Sequence, residues 1–346
     1  MMLFRSACNN DLKAIHQLTE ISGLGITTLP KDIGVLKSRL TLSTSSFSKK
    51  VHSPLDEYYL FVLEDVENSQ VVGTAAIEAA VGLHAPFYSY KLSKRTAICH
   101  SLKRRYHYEV LGLVNDYQGN TELCTLFLDP NYRNHNNGPL LSRARFLFMA
   151  NHPERFASTV FAEMRGVVDD HGQSPFWDQL GHHFFQMSFI EADRLTLSTD
   201  KQFIADLMPR NLVYVNLLAP TAQAVIGVPH PLSVKAMNIL VREGFRYRRY
   251  VDIFDAGPTL DATFDQIESI RASRKMKIKH IIDDVVSEPY LISNTLVNIR
   301  ATQGSLWVDE QSSSLTISQD LAELLEVQCG DFLRFLPFAK ERHEKS

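Results

Sequence analysis

The run from Glu122 to Ala150, ELCTLFLDPNYRNHNNGPLLSRARFLFMA, has the residue types and order of an anion-binding turn. Leu123 to Leu128 is apolar and of strand length. Asp129-Pro130 ends that strand, because proline cannot donate to a ladder and restricts the residue before it. A polar turn carrying Arg133 leads to Gly138, after which apolar residues recur at helical spacing: Leu140, Leu141, Ala144, Leu147 and Phe148. A helix start offers free N–H groups and the positive end of the macrodipole, and both suit a phosphate. The turn is not a Walker A loop, which needs Gly-Lys-Ser/Thr where this chain reads Gly138-Pro139-Leu140. Nor does it hold the spaced glycines of a dinucleotide fingerprint. An ordinary strand-to-helix connection accounts for the same residues, and the sequence leaves both readings open.

Other chemistry-bearing residues are scattered. Cys8, Cys99, Cys124 and Cys329 form no Cys-x-x-Cys pair, so neither zinc nor a redox dithiol is expected. Each reads as a small hydrophobe in a reducing compartment, Cys124 inside its apolar strand above all. The 13 histidines include no His-Glu-x-x-His, and adjacent His182 and His183 would point to different faces of a helix, so no metal site is expected. His230 stands in Gly227-Val228-Pro229-His230-Pro231, where flanking prolines disfavour regular structure and predict a fixed loop.

The 346 residues suit about two domains, and 45% hydrophobic with 22% charged residues describes a globular protein with a sizeable core. A formal charge of −3 argues against a nucleic-acid binder that relies on bulk positive field. No apolar stretch reaches membrane-spanning length, and MMLFRSACNND lacks a basic-then-apolar signal pattern, so a cytoplasmic location is expected.

The elements that must position these residues alternate. Leu3-Phe4-Arg5 starts a strand; Asn9 to Asp11 cap a helix with Leu12, Ile15, Leu18 and Ile21 on one face. The turn Gly23-Leu24-Gly25 and Pro30 precede a second helix through Ile33, Leu36 and Leu40. Tyr58–Leu63 and Val71–Ile77 form a hairpin. Residues 81–120 read as an insertion interleaving aromatics (Phe87, Tyr88, Tyr90, Tyr106, Tyr108) with bases (Lys91, Lys94, Arg95, Lys103, Arg104, Arg105). A solvated face whose tyrosines pack on the sheet is the expectation; nucleic acid or an anionic ligand are the alternatives. Thr159–Val168 reads as a strand, Ser174-Pro175 as a helix start, Ile239–Phe245 as a helix end and Tyr250–Phe254 as a strand. The Leu180-Gly181 and Glu243-Gly244 helix ends hint at two related units. Ile267–Lys279 reads as a basic helix end and linker. Strands follow around Tyr290–Ile292, Ser305–Val308, Leu315–Ile317 and Phe332–Leu336, with a helix capped by Ser318 and a frayed charged tail from Lys340. The boundaries predicted are 1–275 for a core and 276–346 for a small β-rich, barrel-like subdomain.

Strand, Pro130, Arg133, small-residue turn, Gly138 and helix resemble the pyrophosphate loop of acyl-CoA N-acyltransferases of the GCN5-related (GNAT-like) superfamily. The first glycine of that loop's pattern is replaced by Asn136, a residue that tolerates left-handed backbone. The segments SPFWDQLGHHFF (174–185), ELCTLFLDP (122–130), VFAEMRGVVDDHG (160–172), REGFRYRRYVDIFDAGPTL (242–260) and GITTLP (25–30) resemble the bacterial arginine N-succinyltransferase family. The resemblance implies an α+β fold, a mixed sheet flanked by helices. It implies transfer of a succinyl group from succinyl-CoA, a co-substrate rather than a permanently bound cofactor, to the α-amine of L-arginine, the entry step of arginine degradation by the succinyl route. His230 matches the family's proton donor, with Pro229 as a departure beside it, and Leu126 matches its coenzyme contact, made through main chain. Arg133 and Gly138 match the phosphate loop. Direct attack in a ternary complex is expected, since no Cys–His pair is placed for an acyl-enzyme. Glu163, Asp252 and Asp255 are the candidates for holding the guanidinium. Ornithine or another acyl donor, and a non-catalytic sensor of coenzyme A or arginine, are the rival readings. A homo-oligomer is compatible with the family.

Overall fold

The computed structural model describes residues 1–22, 28–134, 136–198 and 202–338. The expected turn at Gly23-Leu24-Gly25, the start of GITTLP and the charged tail lie outside them.

Strand β1 (Met2–Ser6) leads through a 3₁₀ turn into α1 (Leu12–Ile21) and then α2 (Ile33–Ser48), which Asp32 caps by accepting the Val35 N–H at 2.8 Å. β2 (Tyr58–Asp65) and β3 (Gln70–Glu78) form the expected antiparallel hairpin. The insertion folds as a long hairpin, β4 (Ser89–Cys99) and β5 (Arg104–Val114). β6 (Thr121–Leu128) enters the polar turn and α3 (Asn137–Asn151), and β7 (Thr159–Glu163) follows. Five short helices come next: α4 (Pro175–Gln179), α5 (Gly181–Phe185), α6 (Phe189–Ser198), α7 (Gln202–Leu207) and, after the two-residue β8 (Val213–Tyr214), α8 (Pro220–Gln223). Ser174 Oγ caps α4 through the Trp177 N–H, and Pro175 sits at the first helical position. α9 (Val234–Arg242), β9 (Arg246–Val251), β10 (Pro258–Thr263) and α10 (Glu268–Ala272) complete this part.

The remainder is β11 (Arg274–Ile282), β12 (Tyr290–Asn294), β13 (Arg300–Gly304), β14 (Leu306–Asp309), β15 (Ser314–Ser318), α11 (Gln319–Leu325) and β16 (Phe332–Pro337). All strands join one mixed sheet in the order β14-β15-β11-β16-β12-β13-β1-β2-β3-β6-β7-β10-β9-β4-β5-β8. β13 pairs with β1, so the C-terminal strands extend the same sheet.

Layering follows from side-chain alternation. Val160, Ala162, Leu260, Ala262, Ile77 and Leu123 turn to one face and pack with Leu140, Leu141, Ala144 and Phe148 of α3. Tyr58, Leu60, Val62, Ala76 and Cys124 turn to the other and pack with Ile15 and Leu18 of α1 and Leu36 and Leu40 of α2. A separate cluster built on Trp177, Phe176, Phe185 and Phe189 covers Tyr90, Leu111 and Val251.

Three local expectations change. The Asp252 carboxylate accepts the N–H groups of Phe254 and Asp255, which turns the chain there, so the strand is Arg246–Val251 and not Tyr250–Phe254. β7 ends at Glu163, short of Val168. The segment Ile267–Lys279 holds the expected helix, α10, but its second half is the strand β11 and not a linker: Met276 and Ile278 are buried while Lys275, Lys277 and Lys279 alternate outward, a period of two masked by charge.

Candidate functional site

β6 and β7 run parallel, yet only Thr121↔Val160 and Glu122↔Phe161 pair. β6 continues to Leu128 and β7 to Glu163, so the two strands part and a wedge opens between them. Among the described residues, no strand pairs with β6 beyond Glu122 on the side away from β3.

A bulge helps to turn β6 out of line. Its pairing with β3 passes from Ala76↔Cys124 to Thr74↔Phe127, leaving Thr125 and Leu126 opposite Ala75 alone. Thr125 takes φ +56°, costly for a β-branched residue. Three bonds hold it there: its N–H donates to Thr28 Oγ1 at 3.0 Å, its hydroxyl donates to Thr28 O at 3.1 Å, and Tyr58 Oη lies 3.0 Å from that hydroxyl. Leu126 follows the strained residue and is half-buried against the α3-side core.

Past β6, Asp129 accepts the Asn131 N–H, and Arg133 Nε donates to Leu128 O at 3.0 Å. That bond anchors the exposed Arg133 with its guanidinium 5.8 Å from the Phe127 ring centre. Asn136 caps α3 with φ +67°, the left-handed backbone for which the family pattern uses glycine. A Cβ built on Gly138 would find nothing within 4 Å, so its backbone is open to close approach.

The wedge's other wall is the chain leaving β7. The His230 N–H donates to Arg165 O at 2.8 Å, hanging the His230 loop beside that exit. His230 is half-buried and begins the 3₁₀ turn Pro231–Ser233; its Nδ1 accepts the Leu232 N–H at 3.2 Å. That bond assigns the neutral ring's proton to Nε2. Burial, then the charge of Arg165, lower the His230 pKa, with Asp170 acting in the opposite sense.

Asp255 locks this wall. One carboxylate oxygen accepts the Gly166 N–H at 2.7 Å and the other the Gly257 N–H at 2.8 Å. Gly227 N–H donates to Ala256 O at 2.8 Å, tying the His230 loop to the same turn. Gly227 has φ +75°, and a Cβ there would stand 2.4 Å from Tyr247 Oη, so glycine is required. Desolvation raises the Asp255 carboxyl pKa well above the usual range, and the adjacent Asp252 adds to it. Asp252 and Asp255 are therefore main-chain acceptors inside a turn, placed to hold a loop and not a guanidinium.

Glu163 stands elsewhere. On the sheet face opposite α3, register brings Glu78, Glu122 and Phe161 into line across β3, β6 and β7, with Glu163 one row further along β7. Sequence reading missed Glu78 and Glu122, whose signal is only their polar place in alternating strands. It missed Asp255's role too, although Asp-x-x-Asp-x-Gly (252–257) is a turn pattern.

Of the predicted residues, Leu126, Arg133 and Gly138 follow one another along β6 and its loop, and His230 lies across the wedge on the β7 side. Cys124 is buried on the α1/α2 face, and desolvation raises its thiol pKa far above neutrality. Among the described residues no group of three or more His, Cys, Asp or Glu is placed to hold a metal. No helix among them is long and apolar enough to cross a membrane.

A mixed sheet flanked by helices and opened between two parallel strands at a bulge, with a helix start beyond it, is the α+β arrangement of an acyltransferase that the sequence led one to expect. Residues 2–269 match the family described as arginine N-succinyltransferase beta subunit, and residues 274–337 match that subunit's C-terminal domain. The chain is 44% identical to the arginine N-succinyltransferase of Citrobacter koseri, covering 99% of both proteins. It is 41% identical to that of Photorhabdus laumondii, covering 99% of this chain and all of the relative. The solved structure of arginine/ornithine succinyltransferase subunit AI from Pseudomonas aeruginosa superposes with a TM-score of 0.89 at 35% identity, over 98% of this chain and 99% of that one. The chain belongs to the arginine N-succinyltransferase family.

Proposed function

We propose that this protein transfers the succinyl group of succinyl-CoA to the α-amine of L-arginine, giving N2-succinyl-L-arginine and coenzyme A. The observation that carries the reading is the wedge between β6 and β7, with a strained bulge on one wall and His230 anchored to the other.

Succinyl-CoA would lay its pantetheine arm in the wedge, where the main chain of β6 at Leu126, with no β7 residue paired to it, offers hydrogen bonds. The diphosphate would meet the start of α3 at Gly138, with Arg133 supplying charge. The arginine α-ammonium loses a proton to solvent, its nitrogen lone pair attacks the thioester carbon, the C=O π pair moves onto oxygen as an oxyanion, and the nitrogen then gives up its second proton to solvent. Collapse breaks the C–S bond, and the electron pair leaves on sulfur. His230 presents Nε2–H and, being neutral near pH 7, serves as a donor to the charge that develops on oxygen or sulfur. Glu78, Glu122 and Glu163 give the opposite face an acidic floor suited to a substrate with two cationic groups. The buried thiol of Cys124 supports direct transfer over an acyl-enzyme.

Thiol release on mixing the protein with succinyl-CoA and L-arginine tests the reading, with L-ornithine and acetyl-CoA as competing substrates. Retained coenzyme binding without thiol release for any pair would instead favour a sensor.

A further inference from the structure

The insertion at 81–120 remains outside this chemistry, and it has an unusual shape. β4 and β5 pair over their whole length, Ser89↔Val114 to Cys99↔Arg104. β4 meets β9 only at Tyr90 and Lys91, and β5 meets β8 only at Val110 and Leu111. Among the described residues, the hairpin from Ser93 to Tyr108 is thus a two-stranded ribbon with neither outer edge paired to a strand. Such a ribbon is marginal in water by itself, and open edges are prone to pair with another chain. Its apolar residues are displayed: Ile98 is 58% exposed, Leu102 66% and Tyr106 54%.

Its charge is one-sided. Residues 93–108 hold Lys94, Arg95, Lys103, Arg104 and Arg105, all exposed, and no Asp or Glu. The rest of the chain keeps 31 Lys and Arg against 39 Asp and Glu. The opposite bias lies at the other end of the strand order. Residues 281–331 contain nine Asp and Glu and a single base, Arg300. Glu323, Glu326 and Asp331 line an open groove of about 460 Å³ between α11 and the end of β11, on apolar Ile281, Ala322 and Val327. Val286 is 91% exposed and Trp307 58% in this region, with Lys275, Lys277 and Lys279 of β11 as its neighbouring cations.

We propose that the β4–β5 arm docks on the acidic C-terminal end of a second copy of this chain, its basic tip toward the Glu323–Glu326 groove. The two surfaces stand at opposite ends of the sheet order, so the arm finds its complement in another molecule. Opposite charge around exposed apolar residues gives attraction, register and area to cover. Twofold closure would make the contact twice, whereas a non-closing head-to-tail contact would chain. A nucleic acid could use the same bases and tyrosines, but the acidic remainder of the molecule repels a polyanion.

Sedimentation of the full chain at roughly 50 and 500 mM salt tests the docking. The expected result is association at low salt that weakens at high salt. Arg104→Glu/Arg105→Glu and Glu323→Lys/Glu326→Lys should each weaken it by at least about tenfold, and the quadruple variant should regain association. All the substituted side chains are exposed, and thermal melting checks that the variants fold. A monomeric wild-type chain at low salt, association indifferent to both reversals, or an arm that binds a short oligonucleotide without self-association would each overturn it.

Discussion

Replacing Gly257 by Ala should slow succinyl transfer by about a hundredfold while leaving coenzyme binding nearly intact. The magnitude comes from the packing of two chain segments. A Cβ on Gly257 would stand 2.0 Å from Met164 O, 2.6 Å from Gly166 N and 3.0 Å from the Arg165 carbonyl carbon. All three are backbone atoms, so no side chain can swing aside. The segments must separate by about 1 Å or more to reach ordinary contact distance. Arg165 lies at the centre of that displacement, and its carbonyl holds the His230 N–H. A catalytic group misplaced by about 1 Å commonly costs about a hundredfold in rate. Overpacking should also cost about 1–3 kcal/mol of stability, below what a domain of this kind has in reserve. The assay pairs steady-state thiol release with calorimetric succinyl-CoA binding below the variant's melting temperature. A folded variant with full kcat would refute the claim that this wall positions His230 for chemistry. Loss of binding together with turnover would place the damage in the coenzyme site instead.

Other outcomes follow from the same geometry. His230→Ala should lower kcat by roughly a hundredfold or more with little change in coenzyme affinity, checked by single-turnover kinetics. If neutral His230 is the working form, the rate falls as pH drops through its folded pKa, which burial and Arg165 hold below the usual imidazole value. Arg165→Gln removes the repelling charge but keeps the main-chain carbonyl, so the acid limb of the pH–rate profile should move to higher pH; an unmoved limb would assign it to another group. Asp252→Asn keeps one oxygen for the Phe254 and Asp255 N–H groups while removing a carboxylate from beside Asp255. The pair's folded pKa values are raised, so its stability is present in acid and lost as pH rises through them. The variant should therefore gain on the order of 1 kcal/mol near pH 8 and little near pH 4, read from melting curves at both. Cys124→Ser should carry no succinyl adduct and keep most of its turnover, and an adduct on the wild-type thiol by mass spectrometry would revive a covalent route.

Most elements were legible because their signals are local. The apolar, β-prone run from Tyr58 to Leu63 and the caps Ser174 and Ser318 act within a few residues, and the structure keeps each where its pattern put it. The polar turn between Asp129 and Gly138 and the loop around His230 belong to the same group, set by prolines and by a residue able to take left-handed backbone. β11 escaped detection since its lysines resemble a linker until a neighbouring strand buries Met276 and Ile278. β13 (Arg300–Gly304) was missed altogether: its register with β1 is a pairing across some 300 positions of sequence.

The sequence by itself determined the strand, turn and helix that can receive a phosphate, and the stiff loop that carries an imidazole. Tertiary structure decided whether the two share a site. β6 and β7 part after two residue pairs, Thr28 and Tyr58 hold Thr125 in a costly conformation, and Asp255 fastens the far wall. Each of these joins residues roughly 40 to 100 positions apart, where no periodicity or propensity acts and only packing and hydrogen bonding select the arrangement. For the same reason Asp252 and Asp255, acidic and well placed in sequence, proved to be internal props, while Glu78 and Glu122 came to light only when the strands were set side by side.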